Sequence, residues 1–388
     1  MRFEFATATR IIFGRGAVSE VGQAAAEMGN RAFVVTGRSA ERAEPVLEQL
    51  KKRSIECVAF GISGEPTTTI IKQAVESARG AGSDLVISIG GGSALDAGKA
   101  IAAMLTNAGQ LEDYLEVVGP GKHISQDPVP QIAIPTTAGT GAEVTHNSVL
   151  GVPEHQVKVS MRSSLMLPSL AIVDPELSYS MPPAVTAATG LDALTQLAEA
   201  YVSNKANPLT DGICREGIKR AGRSLRAAYE DGNNEAARED MALASLFGGL
   251  ALANAKLGAV HGFAGPLGGM TSAPHGVICA RLLPHVMHAN IKALRQRAAD
   301  STALARYDDI AAILTGNAEA SATDGLAWVQ DLCAALKVPG LAEYGLQERD
   351  FTEVVAKAQK SSSMKGNPIA LTDDDLAEIL IKANTSAK

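Results

Sequence analysis

Cysteine is scarce and scattered. The 388 residues contain four, Cys57, Cys214, Cys279 and Cys333, and no two form a Cys-x-x-Cys pair. That spacing offers no Cys-x-x-Cys motif and predicts buried free thiols in a reducing cytoplasm. No run of about 18 apolar residues occurs, so no membrane span is expected. The start, Met1-Arg-Phe-Glu-Phe, lacks the long apolar core of a signal peptide, in keeping with a cytoplasmic protein. No basic block is long enough to read as a nucleic-acid footprint, and the net charge is -7, which argues against a DNA or RNA partner. Internal repeats and low-complexity segments are also missing. What remains is 46% hydrophobic and 20% charged, enough for a sizeable core, and the length suggests two domains.

The stretch 84–99 organises the chain. Asp84-Leu-Val-Ile-Ser-Ile-Gly90 is an apolar, β-branched run of the kind buried on both faces of a parallel sheet. Gly90, Gly91 and Gly92 follow, and glycine permits a sharp turn and close approach to the backbone. Ser93 and Asp96 then stand at capping-box spacing, ahead of an apolar-periodic run from Ala94 to Leu105. Strand, glycine turn and helix N-terminus together form an anion site suited to a diphosphate. A tight turn with no ligand is the alternative.

Upstream, strands are expected at 11–14, 31–36 and 55–60, with helices at 17–28, from about 40 to 53, and from Glu65-Pro66-Thr67 to about 81, Pro66 lying near the first helical position. A further strand, 129–135, runs into Thr136-Thr-Ala-Gly-Thr-Gly-Ala-Glu143. Alternating strands and helices predict a doubly wound, mostly parallel α/β sheet. Short strands are read at 149–152, 157–161 and 170–174. After Met181-Pro182-Pro183 the strand signals nearly vanish. The expected organisation is therefore a nucleotide-binding α/β domain over 1–178 and an all-helical metal and substrate domain over 179–388. Helix breaks are expected near Asn207-Pro208, 231–234, Pro284, Pro339-Gly340 and Asn367-Pro368.

Polar residues stand at special places in the helical half. Asp192 and Gln196 are four apart in an apolar helix and share one face. His261 reads as the end of an Ala-rich helix, interrupted by Gly262 and Gly265-Pro266. His275 follows Pro274 at a new helix start. Imidazole nitrogen with carboxylate oxygen suits a divalent transition metal, although histidines at helix ends also serve as caps or satisfied core residues.

These segments resemble the iron-containing (group III) alcohol dehydrogenase family over nearly the whole chain. The matching motifs are Gly90-Gly-Gly-Ser-Ala-Leu-Asp-Ala-Gly-Lys99, Pro135-Thr-Thr-Ala-Gly-Thr-Gly-Ala-Glu143, Ala188-Thr-Gly-Leu-Asp-Ala-Leu-Thr195, Gly258-Ala-Val-His-Gly and Pro274-His-Gly276, in that order. The resemblance implies a dehydroquinate synthase-like architecture, with NAD(P) and metal meeting in a cleft between the domains. It implies diphosphate contacts at Gly91, Gly92 and Ser93, and Asp96 at the same helix start is expected among the cofactor-binding residues. It implies further cofactor contacts at Thr136, Thr137 and Thr140, a nicotinamide-side lysine at Lys158 and an apolar cofactor contact at Val185. Gly37 stands where many relatives carry an aspartate that hydrogen-bonds the ribose. With Arg38 next to it, NADP is expected to be accepted as well as NAD.

The family's metal set is one Asp and three His. Asp192, His261 and His275 match, and Gln196 departs from the third histidine. Gly265 is a second departure, at a position where many members carry a histidine near the substrate. The metal implied is iron(II) or zinc(II). An amide oxygen suits harder ions better than imidazole does, so a weakly held metal is expected, with Gln196 a poor fourth ligand or a donor to the substrate oxygen. The implied activity is NAD(P)-dependent hydride transfer between a nicotinamide and a small alcohol, aldehyde or ketone, in a homodimer or larger homo-oligomer. A metal-independent reductase on the same fold and a nucleotide-binding protein without catalysis are the alternatives. A cyclase of the dehydroquinate synthase type fits less well, because 258–276 contains no lysine or arginine for a phosphorylated substrate.

Overall fold

A computed structural model of the protein describes residues 2–155 and 157–385. The chain forms two compact units, one over Ala6–Tyr179 and the other from Ser180 onward with the first few residues.

The first unit is a parallel sheet covered on both faces by helices. Its strands are β1 (Arg10–Phe13), β2 (Arg31–Thr36), β3 (Glu56–Gly61), β4 (Leu85–Gly90), β5 (Gln131–Pro135) and, beyond the hairpin β6 (Asn147–Val152) and β7 (Val157–Arg162), β8 (Leu170–Val173). The sheet order is β1-β8-β5-β4-β2-β3, every pairing parallel. The helices are α1 (Val21–Met28), α2 (Glu44–Lys52), α3 (Thr68–Gly80) and α4 (Gly92–Thr106). Side chains alternate across the pleat. Phe33 and Val35 of β2 pack with Ile71 and Val75 of α3 and Ile101 of α4. Their neighbour Val34 packs on the opposite face with Val21 of α1 and Val46 and Leu50 of α2. Each such fully buried aliphatic side chain contributes about 1.5–3 kcal/mol. The connection after β2 leads outward to β3, while that after β4 leads the other way to β5. The strand order thus reverses between β2 and β4, and crevices at such points take ligands at the strands' carboxyl ends.

Several local expectations are corrected. The helix at 17–28 opens with a 3-10 turn, Ala17–Glu20, before α1. Pro66 lies outside α3, because Thr67 takes the N-cap and accepts the Ile70 N–H at 3.3 Å. Ser93 and Asp96 form no capping box. Helix α4 starts early, with Gly91 as a side-chain-free N-cap, which puts Ser93 inside the first turn. Cys57 is exposed on the edge strand β3, whereas Cys214, Cys279 and Cys333 are buried; all four are free.

The second unit is helical: α5 (Pro183–Val202), α6 (Pro208–Glu230), α7 (Glu235–Ala255), α8 (Ala259–Met270), α9 (His275–Arg297), α10 (Thr302–Thr315), α11 (Ala322–Ala335), α12 (Phe351–Lys360) and α13 (Asp373–Asn384). Helix α5 is its axis, flanked by α6, α7 and α9 and buried along most of its length. His261 does not end the Ala-rich helix. Lys256 takes a positive φ of 59° and stops α7, so His261 falls in the first turn of α8. Gly262, Gly265 and Pro266 lie within α8 and do not interrupt it. Pro284 does not break α9 either. A proline there leaves the carbonyl one turn back without its helical donor. That carbonyl, of Ala280, accepts the Cys333 thiol at 3.6 Å. Among the described residues no single helix is long and apolar enough to cross a membrane.

Candidate active site

Three helices bring a cluster of donors together in the helical unit. Asp192 and Gln196 lie on α5, His261 in the first turn of α8, and His275 at the first position of α9, set there by Pro274. The start of α9 lies directly on the α5 backbone: a Cβ at Gly276 would come within 2.6 Å of the Ala188 carbonyl oxygen. Only glycine allows that approach.

Asp192 is buried, and its Oδ1 is 3.3 Å from His261 Nε2 and 3.8 Å from His275 Nε2. Neither contact has hydrogen-bond geometry, so this buried carboxylate oxygen is left without a hydrogen-bond partner. Such an oxygen is costly unless a cation satisfies it. Cys279, one turn after His275, completes the cluster. Its Sγ is 3.7 Å from His261 Nε2 and 3.6 Å from His275 Nε2. The donor atoms of Asp192, His261, His275 and Cys279 all lie within 4.8 Å of one another.

The electrostatics agree with that reading. Burial alone would raise the Asp192 carboxyl, but the facing His275 and His261 hold it below its ordinary value. Burial alone would lower His261, and the Cys279 and Asp192 groups lift it well above the usual imidazole range. His275 is pushed up to about 9, chiefly by Cys279 against burial, with Asp192 adding to the effect. The centre of the cluster therefore favours positive charge. A dication suits it, and the donor set is one that transition metals accept.

Glu199 orients the cluster from behind. It lies on the same face of α5, seven residues after Asp192. Its Oε2 is 2.7 Å from His261 Nδ1, and its Oε1 accepts the Val260 N–H at 2.6 Å. A carboxylate on Nδ1 keeps the proton there and turns the Nε2 lone pair of the neutral ring inward. The same carboxylate caps α8, where its charge complements the helix dipole.

Gln196 is buried, with its Oε1 beside Gly248 of α7. Gly265, one turn after His261, has open space where a side chain would project. Sequence reasoning missed both Glu199 and Cys279. The signals were present as acidic and thiol side chains at helical spacing from Asp192 and His275.

In the α/β unit the structure unites the glycine turn with the threonine loop. Gly91 lies against Thr137 and Gly92 against Thr140, while the Thr136 N–H donates to the Gly90 carbonyl at 2.9 Å. Gly91, Gly92 and Ser93 are half-buried at the start of α4, with no side chain capping it. Gly37 borders the same turn, its N 3.3 Å from where a Gly90 Cβ would stand, and nothing lies within 4 Å of its own Cβ position. Arg38 is exposed and makes no ion pair among the described residues. Asp96 is engaged within the fold: one carboxylate oxygen meets Lys99 Nζ at 2.8 Å and the other accepts the Val149 N–H at 3.0 Å. Lys158, on β7, pairs with Glu65 at 3.1 Å. Val185 lies in the first turn of α5 in the helical unit, its side chain exposed.

Residues 8–175 match the family described as iron-containing alcohol dehydrogenase, and residues 186–384 match the C-terminal part of the Fe-containing alcohol dehydrogenase family. The chain is 36% identical to alcohol dehydrogenase 4 of Schizosaccharomyces pombe, over 96% of this chain and 87% of that one. It is 36% identical to the 1,3-propanediol dehydrogenase of Klebsiella pneumoniae, over 98% of each. A crystal structure of 1,3-propanediol oxidoreductase superposes with a TM-score of 0.90 at 34% identity, covering 99% of this chain and 100% of that one. With both of its halves matched in order, the chain belongs to the iron-containing alcohol dehydrogenase family.

Proposed function

We propose that this protein is an NAD(P)-dependent dehydrogenase of small alcohols. It moves a hydride between the carbinol carbon of the alcohol and C4 of the nicotinamide. The observation that carries this reading is the convergence of Asp192 Oδ1, His261 Nε2 and His275 Nε2. When bound, a divalent metal supplies Lewis-acid polarisation of the substrate oxygen, and the nicotinamide supplies the hydride acceptor. Asp192, His261 and His275 would hold the metal, and Glu199 would keep His261 in the ligating tautomer. Gly265 offers no proton acceptor, so the alcohol proton leaves to water in the open space beside it.

The α/β domain, 1–178, takes the nucleotide, and the helical domain, 179–388, takes metal and substrate. Backbone N–H groups of Gly91, Gly92 and Ser93 would hold the diphosphate, assisted by the hydroxyls of Thr136, Thr137 and Thr140. Asp96 positions this turn by tying α4 to β6 and Lys99. Lys158 serves the nicotinamide side. The open space at Gly37 and the exposed Arg38 support acceptance of NADP alongside NAD. Homo-oligomerisation is carried over from the family and is read out by sedimentation.

The relatives named for 1,3-propanediol suggest short primary alcohols and diols as the first substrates to assay. A panel of alcohols and aldehydes, followed through the cofactor's absorbance, tests the function. Turnover of short alcohols with a metal requirement is expected. Tight cofactor binding with no turnover on the whole panel would contradict it.

A further inference from the structure

The Cys279 thiol lies where a metal ligand belongs. Tetrahedral zinc has bonds of about 2.0–2.1 Å to nitrogen or oxygen and about 2.3 Å to sulfur, which places nitrogen–oxygen edges near ~3.4 Å and sulfur–nitrogen edges near ~3.6 Å. The observed separations are 3.3 and 3.8 Å from Asp192 Oδ1 to the two imidazoles, and 3.7 and 3.6 Å from Cys279 Sγ to the same nitrogens. Four of the six separations among these donors, from side chains on three helices, thus have the lengths a four-coordinate zinc needs, and the remaining two are no longer than 4.8 Å. Cys279 reaches the cluster because it follows His275 by one helical turn.

We propose that Cys279 is a thiolate ligand of the metal and that the resulting Asp192–His261–His275–Cys279 set selects zinc(II). This rests on the reading that the cluster is the metal centre of the dehydrogenase. As the sulfur–metal bond forms, the thiol proton passes to solvent and no electron is transferred. A thiolate with two imidazoles is a soft, nitrogen- and sulfur-rich set, which favours zinc over manganese and reverses the weak, hard site expected from Gln196. Zinc also tolerates a fifth donor, so four protein ligands leave it able to meet a substrate oxygen.

The test uses the full-length protein, stripped by chelation and reloaded with cobalt(II) as the probe. Wild type should show a sulfur-to-cobalt charge-transfer band in the near ultraviolet. Cys279→Ser should keep cobalt's ligand-field absorption, lose that band, and bind zinc at least about 100-fold more weakly, the upper end of what loss of an outer-shell partner costs. Gln196→Ala should keep the band. X-ray absorption of zinc-loaded wild type requires no variant and should find one sulfur at about 2.3 Å. Cobalt or zinc bound without sulfur, a band that survives Cys279→Ser, or a band lost in Gln196→Ala would each overturn the assignment. Failure of zinc and cobalt to bind at all would overturn it too. Alcohol turnover with metal bound but no sulfur ligand would sink this inference and leave the dehydrogenase reading intact. A sulfur-ligated metal with no turnover would do the reverse.

Discussion

Glu199 Oε2 sits 2.7 Å from His261 Nδ1, on the side of the ring away from Asp192. The contact fixes both the ring's orientation and its tautomer. Removing such a partner costs about 10- to 100-fold in metal affinity. Glu199→Gln should therefore weaken zinc binding by that factor in a protein with native circular dichroism. Chelator competition measures it, and an affinity equal to wild type would show that Glu199 only caps α8.

The glycine turn supports a second prediction. A Cβ at Gly91 would stand 3.3 Å from the Thr137 methyl group, a contact the fold can absorb. The larger branch of Gly91→Val would then occupy the space assigned to the diphosphate. Cofactor affinity should fall by about a hundredfold, or about 3 kcal/mol. Calorimetric titration with NAD and NADP decides it, and retained affinity in a folded variant removes the turn from the cofactor site.

On the proposed reading, cofactor choice rests on Gly37 and Arg38. A carboxylate after β2 would hydrogen-bond the ribose 2′-hydroxyl and repel a 2′-phosphate. Gly37→Asp should thus lower kcat/KM for NADP and spare NAD. Arg38→Ala should lower the NADP to NAD ratio by removing a charged partner for the phosphate. A ratio unchanged in both variants would mean that the 2′ position is read elsewhere.

Acid stability has a definite sign at Asp240. Burial alone would raise its carboxyl, but Arg223, Ser224 and Arg220 hold it below the ordinary carboxylate value. Because the folded value is the lower one, its contribution is complete above the unfolded value of about 4 and disappears as pH falls through the folded one. Asp240→Asn should lose about 2–3 kcal/mol at neutral pH, the scale of hydrogen bonds to a charged group, and progressively less below pH ~4. Urea denaturation of both proteins across this range checks the trend. A penalty that grows in acid would contradict it.

The chemistry legible in the sequence was that carried by local pattern. β-branched runs revealed the strands of the parallel sheet, because strands buried on both faces are apolar throughout. The glycine turn after β4 announced itself in the same way. Helix boundaries around the metal cluster were harder to read. The stop after α7 depends on a positive φ at Lys256, a residue type that gives no warning, so His261 was placed one helix too early. Pro266 and Pro284 looked like breaks, yet tertiary packing carries both helices through them. Cys279 was hidden for another reason. A lone cysteine in an apolar helix reads as a small hydrophobe. Only the crossing of α5, α8 and α9 turns it toward two imidazoles.

The proposed activity is direct hydride transfer in a centre where Asp192, His261 and His275 would hold the metal. Deuterium tracing tests it most directly. The metal-loaded protein is incubated with oxidised cofactor and a short primary alcohol deuterated at its carbinol carbon, and the reduced cofactor is analysed by mass and NMR. One deuterium is expected at C4 of the nicotinamide, on one face of the ring, and none with Asp192→Ala or after metal removal. Reduced cofactor that carries no deuterium, or full transfer by the Asp192→Ala protein, would contradict it.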